Sequence, residues 1–334
     1  MKTKILYVLT STEKDIYLEQ AYVSMASAKH HMPDCHIVLL VDDQSAKTLE
    51  GKRKTEIQFV DELVVVDVDH SYSRQECSRI LKTSAREHVK GDFLFVDSDT
   101  IFVKPIYEVD DLKFDMAACP DSHSDIPHNP YRDSCLIGHG HLLNWSIDNE
   151  KVYFNSGIIF VRDCAKTHEF YQLWNKNWKK YHHLTGGMDQ PSFARTNYEL
   201  GHPVQVLDDT WNVELKHGMK FLKDARIVHY LTTNPSVNGI QLFLMNSKEK
   251  LMEVKSGIIP NDIQQLFDDP FKGLSTPTLC LAYGDMMTYY HLTLDVYPEY
   301  MRMKSSKLVM AAWRFYLYVA RVTWPIRRRF HNLV

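Results

Sequence analysis

Two carboxylates one residue apart, Asp97 and Asp99, lie between the apolar runs Phe93-Leu94-Phe95-Val96 and Ile101-Phe102-Val103. A Phe-rich apolar run of this kind predicts a strand buried on both faces of a parallel sheet. Ligands of open α/β sheets bind beyond the carboxyl ends of the strands, which is where these two acids fall. Neighbouring carboxylates repel one another unless a cation lies between them. Mg²⁺ and Mn²⁺ take oxygen ligands and commonly share them with substrate phosphates. The pair therefore predicts a metal–phosphate site at a sheet edge.

Two further features fall at strand ends or in the tight turn that follows: Asp189-Gln190 and His229. An imidazole with two carboxylates is a ligand set for Mn²⁺, which gives His229 a place beside Asp97 and Asp99. An ion held there neutralises a diphosphate leaving group as charge develops on it. Lys82, on the helix before the carboxylate strand, can add positive charge to the same group. Blander readings exist for each. Asp97, Asp99 or Asp189 could cap a helix or turn, and His229 could be a core histidine bonded to backbone. Asn155-Ser156-Gly157 could be a strand with a glycine for close packing, and a helix-surface lysine is usually only solvated.

The elements that must position these groups alternate. Strands are expected over residues 4–10, 36–41, 63–68, 93–96, 152–161 and 225–228, and helices over 16–31 and 74–88. A helix carries Trp174 and Trp178, and a turn spans residues 185–190. The alternation predicts an α/β fold, a mostly parallel sheet with helices on both faces. Residues 120–149 are polar and hold four scattered histidines (His123, His128, His139, His141). A long irregular insertion of this kind is usually a lid or binding loop. The histidine spacing is not that of a zinc site, and His139, Asn144 and Trp145 are the insertion's candidates for substrate contacts. Beyond residue 246 the chain reads as helical, broken near residues 257–260.

The 334 residues carry a net charge of −3, which conceals an uneven distribution. After Glu299 there are eight basic residues and no acidic one, which leaves 31 basic against 42 acidic groups in residues 1–299. An acidic body argues against a nucleic-acid binder, and the basic tail calls for its own partner. Lys307, Arg314, Arg321 and Arg328 recur at every seventh position, and a helix drifts only about 20° over that interval. They form one basic stripe interleaved with Trp313, Phe315, Tyr316 and Trp324. Arg314 and Arg321 interrupt the apolar run, so the tail is expected to lie on an anionic membrane surface rather than span it. A core-packed helix with a solvated basic side is the alternative. The six cysteines form no C-x-x-C pair and are expected to be reduced and mostly structural. With no secretory signal read at the N-terminus, the expected location is cytoplasmic, at the inner face of the membrane.

Four motifs occur in an order that resembles family-eight glycosyltransferases: Asp97-Ser98-Asp99-Thr100, Asn155-Ser156-Gly157-Ile158, Gly187-Met188-Asp189-Gln190 and Val228-His229-Tyr230. These are retaining, metal-dependent enzymes of the GT-A fold, similar to glycogenin and to the galactosyltransferases of bacterial lipopolysaccharide synthesis. The resemblance spans roughly residues 3–245. It implies that Asp97, Asp99 and His229 hold Mn²⁺ (or Mg²⁺) bound to a nucleotide-sugar diphosphate. It further implies that Asn155, Asp189 and Gln190 meet the transferred sugar, Thr10 and Ser11 hold the nucleobase, and Lys82 touches the donor; Gly187 is a further candidate for substrate binding. One departure stands out: the family's histidine is usually followed by glycine and a K-P-W motif, whereas this chain reads His229-Tyr230-Leu231-Thr232-Thr233-Asn234-Pro235-Ser236. The expected organisation is a GT-A catalytic domain over 1–245 and a helical region over 246–334. The expected activity is transfer of a hexose from a UDP-sugar to a glycan or lipid-linked acceptor, with Asp189 and Gln190 at the reacting centre. The rivals are a phosphatase of the haloacid dehalogenase type, with Asp208 and Asp209 as its later acidic pair, and a non-catalytic nucleotide-sugar-binding protein. A nucleotidyltransferase would want a glycine-rich phosphate loop after strand one, which Thr10-Ser11-Thr12-Glu13-Lys14 is not.

Overall fold

A computed structural model describes residues 1–148, 150–231, 236–237, 240–241, 245, 247–273, 306–316 and 318–319. The chain opens with β1 (Lys4–Leu9), α1 (Tyr17–His31), β2 (Ile37–Asp42), α2 (Asp43–Thr48), β3 (Glu62–Val66), α3 (Arg74–His88) and β4 (Phe93–Val96). Next come β5 (Thr100–Phe102), β6 (Met116–Pro120), α4 (Ile137–Leu142), β7 (Phe154–Val161), α5 (Ala165–Tyr181) and α6 (Gln190–Glu199). The strands β8 (Gln205–Val206), β9 (Val213–Glu214) and β10 (Ile227–His229) precede α7 (Lys248–Val254) and α8 (Asn261–Asp268). Residues 307–316 are helical.

Seven strands form one sheet in the order β3-β2-β1-β4-β7-β6-β8. The first four run parallel, as their apolar sequences predict. β7 runs antiparallel to both of its neighbours, β4 and β6. Successive side chains alternate between faces. Ile5, Tyr7 and Leu9 of β1 therefore join a core with α1, while Leu6 joins Leu81 of α3 and Trp174 of α5 on the other face. α3 starts cleanly because Ser73 and Glu76 form a reciprocal capping box.

The apolar run after Asp99 leaves the large sheet. β5 belongs to a three-stranded sheet ordered β5-β10-β9. Its antiparallel pairing with β10 sets His229 opposite Thr100. Helices beyond residue 245 share the main core. Leu251, Val254, Ile263 and Leu266 pack in one cluster with Leu18 and Ile101. The 120–149 segment is less irregular than expected. It contains α4 and one π-helical turn over Arg132–Leu136, and it rests on a cluster of Ile126, Leu136, Trp145, Ile147, Tyr153 and Ala194. Five cysteines are free thiols, and Cys280 lies outside the described residues.

Candidate functional site

A cleft of about 1030 Å³ opens at the ends of β1, β4 and β7. It is lined by Thr10, Lys82, Asp97, Asp99, Asn155, Asp189, Gln190 and His229 from the sequence-predicted set. Sheet register explains their convergence. β4 ends at Val96, paired with Ile158 of the antiparallel β7. The Asp97 amide then donates to the Gly157 carbonyl at 2.8 Å. This sets Asn155-Ser156-Gly157 beside the carboxylates. β10 returns antiparallel to β5, and the Tyr230 amide donates to the Asp99 carbonyl at 3.0 Å, so His229 arrives at the same corner.

His229 Nε2 lies 3.2 Å from Asp99 Oδ1 and 4.0 Å from Asp97 Oδ2. One ligand atom from each of the three side chains falls within 4.8 Å of the others. The imidazole is oriented by a chain that starts from a backbone donor of fixed identity. The Gly157 amide donates to Asn155 Oδ1 at 2.8 Å, and Asn212 Nδ2 donates to the same oxygen at 3.1 Å. Asn212 must then present Oδ1 to His229 Nδ1 at 3.0 Å. Nδ1 therefore carries a proton and Nε2 faces the carboxylates, the arrangement in which an outer partner aims a ligating histidine. Burial opposes a charge on His229, but Asp99 and Asp97 overcome it and raise its pKa. Burial pushes the Asp97 carboxyl up, with Asp99 and Asp189 adding to it against Lys82 and His229. Two hard oxygens, one imidazole and no thiolate suit Mn²⁺ or Mg²⁺.

Asp189 precedes α6 but makes no capping bond to it. Its carboxylate instead meets Lys82 Nζ at 3.0 Å, Arg79 Nε at 3.1 Å and Ser156 Oγ at 2.9 Å. Burial alone would raise its pKa, yet Lys82 and Arg79 outweigh it and hold the group far below the usual carboxylate range. Lys82 is almost fully buried, lies 3.4 Å from Asp97 Oδ1 and covers the Phe95 ring. Gln190 is held at both ends: Nε2 donates to Asp121 Oδ1 at 2.8 Å, and Oε1 accepts from the Ser156 amide at 3.4 Å. Thr10 lines the cleft with its hydroxyl donating to the Arg74 carbonyl at 3.0 Å.

Four predicted residues are not among those lining the cleft. Ser11 is buried and turned inward, donating to Asp15 and accepting from Arg53. Trp145 is a core residue, its ring stacked on Tyr153 and its indole N–H donating to Glu150. Asn144 has a left-handed backbone and gives its carbonyl to Arg195. Gly187, also left-handed, abuts Gln75 and accepts from the Trp178 indole. His139 does line the cleft, with Cys135 Sγ 3.4 Å from its Nδ1. Asp208 and Asp209 are outside it: Asp208 caps a turn and Asp209 bonds His123.

Sequence reasoning missed several members. Asp121, just past β6, accepts from Gln190, Asn155, Ser122 and Asn129. The rule about strand ends could have found it, but the alanine-rich β6 was not read as a strand. Arg79 is one turn from Lys82 on the same helix face. Asn212 gave no signal. Glu214 lines the cleft with its carboxyl pushed well up by burial and by Asp121.

A profile described as nucleotide-diphospho-sugar transferase matches residues 36–250. The chain belongs to that family. Its resemblance to family-eight glycosyltransferases has the same sense, and the phosphatase alternative falls. A search of curated proteins returns no match. Among solved structures, the fold is similar to the galactosyltransferase LgtC, solved with donor and acceptor sugar analogues. The two are 13% identical over 79% of this chain and 99% of LgtC, with a TM-score of 0.50. The bifunctional glycosyltransferase WbbM aligns at 17% identity over 69% of this chain, with a TM-score of 0.49, and the alignment spans 45% of WbbM. Mouse xyloside xylosyltransferase 1 aligns at 15% identity over 71% of this chain and 100% of its own, with a TM-score of 0.48.

Proposed function

We propose that this nucleotide-diphospho-sugar transferase moves a hexose from a UDP-sugar to a glycan or lipid-linked acceptor, with retention of configuration and with Mn²⁺ or Mg²⁺ bound. The observation that carries the reading is the convergence of Asp97, Asp99 and an Asn212-oriented His229 on one corner of the cleft. Those three side chains would hold the ion, whose role when bound is to neutralise charge on the departing diphosphate. Lys82 adds a buried positive charge beside Asp97.

The pair at the reacting centre positions rather than attacks. An amide is a poor nucleophile, and Gln190 has both ends tied to neighbours. Asp189 is committed to Arg79 and Lys82, and Asp121 accepts several hydrogen bonds. Front-face departure fits best. The bond from anomeric carbon to phosphate oxygen breaks, the acceptor oxygen bonds to the same face of that carbon, and its proton passes to the leaving phosphate. Asn155 and Gln190 would orient the hexose, His139 would contact the acceptor, and Thr10 would sit at the nucleoside end.

The basic tail supports action at a membrane surface in cell-surface polysaccharide or lipopolysaccharide synthesis, on the cytoplasmic face. Among the described residues no helix is long and apolar enough to cross a membrane. The test is UDP release from a panel of UDP-hexoses, with Mn²⁺, with a chelator, and in Asp99→Asn. One sugar should be turned over, and both chelation and the substitution should abolish its turnover. Turnover indifferent to both would overturn the metal reading. A covalent glycosyl-enzyme trapped without acceptor and seen by mass spectrometry would overturn front-face transfer.

A further inference from the structure

Two helix C-termini meet at the end of α1 that is remote from the cleft. α1 begins at the cleft, which Tyr17 and Gln20 line, and ends at His31. Its 15 residues span about 22 Å. There it meets the last turn of α8. His30 Nε2 lies 2.9 Å from Asp268 Oδ1, and His31 Nε2 lies 2.9 Å from the Phe267 carbonyl oxygen. The two imidazoles pack edge to face, with ring centroids 4.8 Å apart. One ligand atom from each of His30, His31 and Asp268 falls within 4.8 Å of the others.

The local field favours a cation. Both helices turn their negative ends to this point, and the Phe267 carbonyl belongs to a last turn whose carbonyls lack partners within the helix. Asp268 adds a carboxylate. Lys29, the other basic residue in the last turn of α1, is engaged with Asp61 and with the Cys35 carbonyl. Asp43, Asp67 and His70 also converge, but there Lys47 lies 2.9 Å from Asp43 and supplies the positive charge. Two imidazoles and a carboxylate are a zinc ligand set, and the Phe267 carbonyl or a water gives the fourth donor. A tetrahedron with bonds of about 2.0–2.1 Å has edges of roughly 3.4 Å. The 2.9 Å contacts therefore open slightly and the widest separation closes by roughly an ångström. His30 and Asp268, at 46% and 71% side-chain exposure, have room to make that adjustment. Each ring ligates as the neutral imidazole, with its proton on Nδ1 and the Nε2 lone pair on the ion.

We propose that His30, His31 and Asp268 form a second metal site, for zinc, that staples α8 to α1. It lies apart from the Asp97–Asp99–His229 corner and does not depend on the donor reading. It joins a helix beyond the family-matched residues 36–250 to one that starts at the cleft. The test is zinc bound by metal-stripped, full-length protein in equilibrium dialysis, together with the thermal midpoint as zinc is added. Wild type should hold one equivalent more than His30→Ala/Asp268→Asn. Its midpoint should climb with the logarithm of zinc concentration, beyond any climb in the double variant. Without metal the two should melt close together, because both replaced side chains are exposed. Asp99→Asn should keep this equivalent, which tells it apart from an ion at the catalytic corner. Equal zinc content and equal climbs in wild type and the double variant overturn the inference. So does an Asp99→Asn protein that holds no zinc.

Discussion

A Cβ at position 157 would lie 2.4 Å from His229 Cε1 and 2.9 Å from both Asp97 Oδ2 and Asn155 Oδ1. Real Cβ atoms do not come so close, so the metal corner exists only where β7 carries no side chain. Gly157→Ala should push the imidazole off its carboxylates. We expect Mn²⁺ affinity, read by titration calorimetry, to fall more than tenfold. The substitution should cost the fold about 1–3 kcal/mol, as overpacking does. Asn212→Ala acts one shell further out. It leaves the ligands in place and frees the ring, so metal affinity should drop by about 10–100-fold, and the buried His229 Nδ1 it leaves without a partner should cost the fold about 1–3 kcal/mol. An unchanged affinity in Asn212→Ala would remove the orienting role. Asp97, Asp99 and His229 were legible because two acids and an imidazole beyond apolar strands match the ligand set of a hard divalent cation. Asn212 was not, because an asparagine between Trp211 and a two-residue strand has no meaning until β9 and β10 pair. Trp145 misled for the opposite reason: an aromatic in a polar insertion looks like a sugar platform, and only the local core shows it buried.

Between α1, the turn at residues 51–57 and the loop before α1 lies a buried charge cluster that the proposed chemistry does not use. Glu19 and Glu56 are wholly buried, and neither carboxylate has a hydrogen-bond partner among the described residues. Lys255 Nζ is 3.4 Å from Glu19, and Arg53 Nε is 3.6 Å from Glu56. Burial, reinforced by Glu19 and opposed by Arg53 and Lys255, pushes Glu56 up to about 7. The sign follows. Between its ordinary value and about 7 the folded chain holds a proton that the unfolded chain has released, so raising the pH through this window removes stability. The slope is at most about 1.4 kcal/mol per pH unit. Thermal melts from pH 5 to 8 should show wild type losing stability relative to Glu56→Gln as pH rises, with the difference levelling off above about 7. Parallel curves would refute the assignment. Because Arg53 also donates to Ser11, and Ser11 to Asp15, the cluster braces the loop that walls the cleft. The helices read at 16–31 and 74–88 match α1 and α3 almost to the residue. The sequence did not announce the reversal of β7, since an apolar run buried on both faces carries no record of its direction.

The acidic body and basic end of the chain differ in what they can approach. The helical stretch over 307–316 presents Leu308, Phe315 and Tyr316 to solvent at 81%, 68% and 57% exposure, with Tyr318 beyond it at 66%. Trp313 and Tyr316 stack at 5.5 Å between ring centroids. Lys307 and Arg314 are on the same stretch, whereas Arg302, Lys304, Arg321 and Arg328 lie outside the described residues. Large aromatics left in water beside cations are the composition of a helix that rests at a lipid interface. Each cation near anionic lipid contributes about 1 kcal/mol, which weakens as salt screens it. Binding to vesicles of mixed phosphatidylserine and phosphatidylcholine should therefore be strong at low salt and weak at high salt. Phosphatidylcholine alone should bind little. Removal of residues 300–334 should abolish the partitioning while UDP affinity is retained, because the described cleft draws no residue from beyond Lys248. Vesicle binding that survives the truncation would move the membrane contact elsewhere on the molecule. Loss of UDP affinity in the same variant would instead make the tail part of the catalytic fold.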